Sequence, residues 1–136
     1  MKLPRLRAIL HAMTNDDIAQ RVAEYYPHID DCDFDWVVAL FAPDAVYDRA
    51  EQSYVGRPAI DHFFRAERKI RGRHLVDGLS VDRERRTVTA TGRFEGHGEA
   101  GDARSVGFAD LWRFDAAGLV ARRQTYLAMG HAYVQR

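Results

Sequence analysis

Apolar residues recur at helical spacing in the first half of the chain and alternate in the second. Ile18, Val22, Tyr25 and Tyr26 follow one another at intervals that predict an amphipathic helix. Thr14 or Asn15 can cap its free amide groups, Asp16 and Asp17 suit the positive end of its dipole, and Pro27 predicts its close. Asp33 is placed to cap a second short helix with Val37, Leu40 and Phe41 as its apolar stripe, ending before Pro43. A strand is expected near 45–48. Gly56-Arg57-Pro58 then opens a third helix that buries Ile60, Phe63 and Phe64, with Pro58 in its first turn. After Gly72 the period changes to two. Strand-like runs are expected at 73–82, 86–97, 104–115 and 119–129, joined by Asp82-Arg83-Glu84-Arg85, the glycine-rich stretch 96–101 and Ala116-Ala117-Gly118.

Helices first and long strands afterwards predict an α+β domain in which a curved antiparallel sheet wraps around three N-terminal helices. Residues 1–12 read as a flexible N-terminal extension, with Met13 a candidate natural start, and 13–136 as a single domain. A length of 136 residues suits one such domain. Twenty basic and twenty acidic residues cancel, which argues against a sequence-blind nucleic-acid binder needing a basic excess. No apolar run approaches the ~20 residues of a membrane span, and the apolar stretch of MKLPRLRAIL is shorter than a secretory signal requires. Cys32 is the single cysteine, so neither an intrachain disulfide nor a cysteine-based zinc site is available. A soluble, cytoplasmic protein is expected.

Chemistry enters where polar residues occupy apolar positions. In 104–115 one face carries Val106, Phe108, Asp110, Trp112 and Phe114. A carboxylate in that row loses hydration, which favours a protonated, hydrogen-bond-donating form. The alternative is a buried acid satisfied by a tyrosine or an arginine for structural reasons. His74 opens the first of the long strands and suits proton transfer near neutral pH, given an orienting partner. The turn Asp30-Asp31-Cys32-Asp33 offers several. Tyr25 and Tyr26 are core aromatics or pocket donors. Arg83, Arg85, Arg86, Arg122 and Arg123 read as solvated turn or edge charges. His62, His97 and His131 share no metal-ligand spacing, so no metal site is expected, nor is there a phosphate loop, dinucleotide fingerprint or nucleophile elbow.

The stretch Asp33-Phe-Asp-Trp-Val-Val-Ala-Leu-Phe-Ala-Pro-Asp-Ala-Val-Tyr47, then Val55-Gly-Arg-Pro-Ala-Ile60 with Phe63-Phe64, resembles the nuclear transport factor 2-like superfamily. The segment Phe108-Ala-Asp-Leu-Trp-Arg-Phe-Asp-Ala-Ala-Gly118 with Gln124-Thr-Tyr126 extends the likeness, which covers roughly residues 14–129. Within the superfamily the chain is most similar to the ketosteroid isomerase and SnoaL-like polyketide cyclase branch. That resemblance implies a cone with an apolar pocket between sheet and helices. It places Asp110 on the protonated aspartic acid of the isomerase oxyanion hole and Tyr25 on the tyrosine that shares it. The isomerases' general base would fall at Arg49, a departure from their pattern, and the adjacent Asp48 could serve in its place only if a bulge turned it inward. Asp30 and His74 match the Asp–His dyad of scytalone dehydratase and hexachlorocyclohexane dehydrochlorinase. Arg93 and Glu95 resemble in part the Asp–Arg–Asp set of epoxide hydrolases, although Gln124 stands where one acid belongs.

The resemblance implies a cofactor-independent proton-transfer enzyme, an isomerase, dehydratase or cyclase, acting on a small apolar carbonyl-bearing metabolite of polyketide type. His74 is the expected base, Asp30 its orienter, and Asp110 and Tyr25 the donors to an enolate. Tyr47, Arg49, Phe64, Phe108 and Trp112 are the expected substrate contacts. No cofactor is expected. A homodimer is, since relatives pair through the outer sheet face and 119–129 mixes Leu119, Ala121 and Leu127 with arginines. The rival reading is a non-catalytic ligand-binding or dimerisation module of the same fold, with an epoxide hydrolase less favoured.

Overall fold

Tyr25, Tyr26 and Ile29 can share a buried face with Ile18 and Val22 only if the first helix continues past Pro27, and it does. The computed structural model describes residues 15–128, so the expected extension at 1–12, the Thr14 cap, the alternative start at Met13 and His131 lie outside the described residues. Helix α1 spans Asn15–Asp30 with Pro27 inside it. A proline ring crowds the residue four positions earlier, here the small, exposed Ala23. The expected stop at Pro27 is therefore corrected: burial of Ile29 and the contacts of Asp30 outweigh one missing amide donor.

Asp33 caps the second helix, α2 (Phe34–Ala39), by accepting from the Trp36 amide, as its position predicts. Strand β1 (Phe41–Arg49) is longer than the expected 45–48, and a short strand, β2 (Gln52–Val55), pairs with it in a hairpin that the pattern does not announce. Gly56 holds φ at 90°, a value that suits glycine, and delivers Pro58 to the first turn of α3 (Arg57–His62). A π-helical turn, Phe63–Glu67, continues α3 and closes with the Arg68 amide donating to the Phe63 carbonyl at 2.8 Å.

Four long strands follow close to where the alternation places them: β3 (Arg71–Asp82), β4 (Thr87–His97), β5 (Ala103–Phe114) and β6 (Val120–Ala128). The sheet order is β2-β1-β6-β5-β4-β3. Every pairing is antiparallel except that of β1 with β6, which is parallel, so the sheet is mixed rather than purely antiparallel. Gly92 lies where β3 and β4 run close together: a Cβ there would overlap the Leu75 carbonyl and Val76, next to the irregularity between Val76 and Gly78. The concave face buries Val88, Ala90, Phe94, Phe108, Trp112 and Phe114 on the side that faces α1, Ile60 of α3 and Phe63 and Phe64 of its π turn. No described helix is long and apolar enough to cross a membrane.

Candidate active site

Because α1 runs through Pro27, its last residue reaches the start of β3. Asp30 Oδ1 lies 2.6 Å from His74 Nδ1, and Asp30 Oδ2 accepts the His74 backbone amide at 2.8 Å. An ionised carboxylate can only accept, so Nδ1 carries the proton of this bond, and in the neutral imidazole Nε2 is the atom left with a lone pair. The imidazole sits among Tyr26, Phe94 and Phe108, with ring centroids 5.0–5.3 Å away. Its side chain is 11% exposed.

A second buried network centres on Asp110, which is 1% exposed. Its carboxylate accepts from Tyr26 Oη at 2.6 Å, Arg123 Nη2 at 2.9 Å and Thr125 Oγ1 at 2.6 Å. With the Thr125 proton so committed, Tyr47 donates to Thr125 at 2.9 Å, and Arg49 Nη1 donates to Tyr47 at 2.8 Å. Trp112 Nε1 donates to Tyr26 at 3.3 Å. Chains of donors thus converge on one acceptor. Asp110, expected to donate to an oxyanion, here accepts from protein donors on both oxygens, the arrangement of an acid satisfied by tyrosine and arginine.

Arg123 is corrected as well. Expected in solvent, it is 3% exposed, with its guanidinium 4.3–4.7 Å from the ring centroids of Trp112, Tyr25 and Tyr47. Burial alone would lower its pKa, but the Asp110 carboxylate overrides burial and holds it well above the usual arginine value. Strand alternation carries a signal for this, since adjacent Arg122 and Arg123 cannot both face outward along a regular strand. Arg86 is half-buried too, donating to the Asp115 carbonyl at 3.2 Å.

Arg123 Nη1 donates to Tyr25 Oη at 2.7 Å, which leaves the tyrosine its own proton to donate. Burial pushes the Tyr25 pKa up to about 12, against the smaller opposing effect of Arg123, and burial also raises Tyr26. Both phenols thus keep their protons when folded. The sign follows: above the ordinary tyrosine pKa of ~10 the unfolded chain ionises while these folded tyrosines do not, so stability falls as pH rises from 10 towards 12. Urea melts across that range should show the decline, with phenolate absorbance from these residues appearing together with unfolding. A flat stability profile would contradict the burial.

A cavity of about 380 Å³ opens on the concave face. Tyr25, Arg49, Arg68, His74, Arg123 and Thr125 supply much of its polar wall; Ile70, Phe94, Val106, Phe108 and Leu127 supply apolar surface. Among the expected site residues it brings together His74, Tyr25, Arg49 and Phe108, with Asp30 bonded behind His74. Asp110 does not line it, and Tyr26 rather than Tyr25 is its direct tyrosine partner. Tyr47, Phe64 and Trp112 lie in the core behind the wall instead of forming it. Asp48 is not turned inward: it accepts from Ser53 and Arg122, bonds that hold its pKa below the usual value. Arg93 and Glu95, exposed and themselves outside the wall, bond each other and Ser105 at its rim. Arg68, unmarked in the sequence within the basic run from 65 to 73, is one of the wall residues that pattern could not find. Among the described residues no three His, Cys, Asp or Glu side chains are grouped to hold a metal.

The SnoaL-like domain model matches residues 11–130. Comparison with curated protein sequences gives no match. Solved structures are similar in fold. The epoxide hydrolase/cyclase-like enzyme SalBIII, with a role in pyran ring formation in polyether salinomycin, superposes with a TM-score of 0.73 at 16% identity, covering 84% of this chain and 92% of that one. A putative isomerase from Bacillus subtilis gives 0.74 at 17% identity, over 85% and 89% of the two chains. An NTF2-like protein of unknown function from Burkholderia pseudomallei gives 0.73 at 20% identity, over 84% and 91%. The family match extends over most of the chain, and the cone of helices and curved sheet is the architecture of these neighbours: the chain belongs to the SnoaL-like domain family.

Proposed function

We propose that the chain is a cofactor-independent proton-transfer enzyme, an isomerase, dehydratase or cyclase, acting on a small, largely apolar, carbonyl-bearing metabolite of polyketide type. The observation that carries this reading is His74, bonded to Asp30 behind it, on the wall of a cavity that Tyr25 also lines. His74 Nε2 removes a proton α to the carbonyl, and Asp30 stabilises the imidazolium that forms. Tyr25, itself receiving a hydrogen bond from Arg123, donates to the enolate oxygen. The imidazolium then returns its proton to a different carbon or to a departing hydroxyl. Asp110 takes no proton in this scheme; it anchors Arg123 and Tyr26. An open cavity lined by His74 favours this over a purely structural module, in which the histidine would have no reason to be presented there.

The test is exchange of α-protons for deuterium, followed by NMR, across a panel of enolisable ketones and hydroxy-ketones. Enzyme-dependent exchange that disappears in His74→Ala is the expected result. Exchange that persists in that variant would sink the base assignment.

The protein also pairs as a homodimer through the convex sheet face, where Leu111 and Tyr126 are exposed on neighbouring strands. Sedimentation at micromolar concentration should give twice the mass of one chain, and Tyr126→Glu should reduce it to a monomer. A monomer mass for the unaltered protein would reject the pairing.

A further inference from the structure

Burying a guanidinium without an anionic partner is costly, so its presence in a wall calls for a reason. Arg49, Arg68, Arg104 and Arg123 all line this cavity. Asp110 neutralises Arg123, Asp102 is paired with Arg104, and Asp30 is taken up by His74. Arg49 and Arg68 have no such counterpart: among the described residues, no carboxylate lies within ion-pair distance of either.

Arg68 is the more telling of the two. It is 7% exposed, and among the described residues its guanidinium makes one long contact, Nη1 to the Ile70 carbonyl at 3.4 Å. Burial lowers its pKa, and the positive charges of Arg123 and Arg49 act in the same direction. Arg49 donates Nη1 to Tyr47 and lies 5.0 Å from the Phe63 ring centroid. The backbone invests in this placement. The π turn 63–67 ends at the Arg68 amide, and the chain then turns extended, with φ −79° and ψ 106°, at Arg68. Two guanidinium forks with spare donors, beside an apolar wall, form a receptor for a planar group with two anionic oxygens.

We propose that the ligand of this cavity carries a carboxylate, received by Arg49 and Arg68, with its apolar body against Ile70, Phe94, Phe108 and Leu127. The inference rests on the reading of this cavity as the substrate site and narrows its substrate to a carbonyl compound that is also an acid. Arg68 is then a specificity residue that the sequence pattern does not reveal.

Binding of a naphthalene carboxylate, of the matching carboxamide and of inorganic phosphate, measured by calorimetry on the whole protein, tests it without reference to turnover. The carboxylate should bind about 10- to 100-fold more tightly than the amide, the scale of a charged against a neutral hydrogen-bonded contact. Arg68→Gln and Arg49→Gln should each remove most of that preference, weakening carboxylate binding far more than amide binding. Arg68→Met should lose the preference while melting no lower than the unaltered protein, because it removes an uncompensated buried charge. A merely structural arginine would behave oppositely, lowering the melting temperature. Equal binding of carboxylate and amide, or a preference that survives both glutamine variants, would overturn the proposal. So would phosphate that outcompetes the carboxylate. Failure here with deuterium exchange still dependent on His74 would leave the proton-transfer reading standing; loss of that dependence with carboxylate binding intact would do the reverse.

Discussion

His74→Ala is expected to lower turnover by about 10²–10⁴-fold, the usual contribution of a positioned general base. Asp30→Asn should approach the same loss for a reason visible in the geometry. The two carboxylate oxygens of Asp30 each accept one N–H of His74, from Nδ1 and from the backbone. An asparagine offers one oxygen and one amino group, so one of those two donors must face another donor. If the amino group meets the ring, the imidazole is driven to the tautomer protonated at Nε2, and the atom that should take the proton is blocked. If it meets the backbone, the amide still lacks the charge that stabilises an imidazolium. The double variant should be little worse than either single one, because the pair acts as a unit. KM should change little, since the loss falls on the transition state. Should His74→Ala turn over a substrate at nearly the full rate, the dyad is structural. Asp48 and Asp110 are poor substitutes as bases, given the donors that already occupy them.

The second large effect concerns stability. Removing one member of the Asp110–Arg123 pair leaves an uncompensated charge in a site that is almost fully buried. Asp110→Ala and Arg123→Ala should each cost about 3–5 kcal/mol, a large part of the ~5–15 kcal/mol that holds a domain folded. The melting temperature should fall by about 10–20 °C. Asp110→Ala also strands the hydroxyls of Tyr26 and Thr125, which makes it the worse of the two. Replacing both at once with Leu and Met should cost less than the sum of the single changes, because the charges disappear together. Urea denaturation of the four proteins measures this coupling directly. Single variants within about 1 kcal/mol of the unaltered protein would show that the network does not bear on the fold, and would reopen the idea that Asp110 serves chemistry instead.

Part of this arrangement is legible in the amino-acid sequence alone. Period-two alternation locates the four long strands to within a few residues, and it puts Asp110 on the buried row between Phe108 and Trp112. Asp33, Gly56 and Pro58 mark helix starts because their roles depend on local dihedrals and hydrogen bonds alone. Family resemblance, rather than periodicity, joins Asp30 to His74 across 44 positions.

What pattern cannot supply are the outcomes decided by distant partners. A proline normally ends a helix, but the burial of Ile29 and the reach of Asp30 to β3 carry α1 past Pro27. An arginine is normally solvated, yet Arg123 is drawn in by a carboxylate on β5 and three aromatic rings. The alternation of β6 is also broken by the irregularity opposite Arg113 and Phe114, so Val120 and Arg123 are both buried despite their odd spacing. The parallel seam between β1 and β6 and the placing of Arg68 in the cavity wall likewise depend on contacts across the whole domain. Local sequence sets the propensities and the faces of each element. Which charges enter the interior is settled only when folding brings an opposite charge, a donor or an open cavity beside them, because desolvating a charge is tolerable only where such a neighbour offsets it.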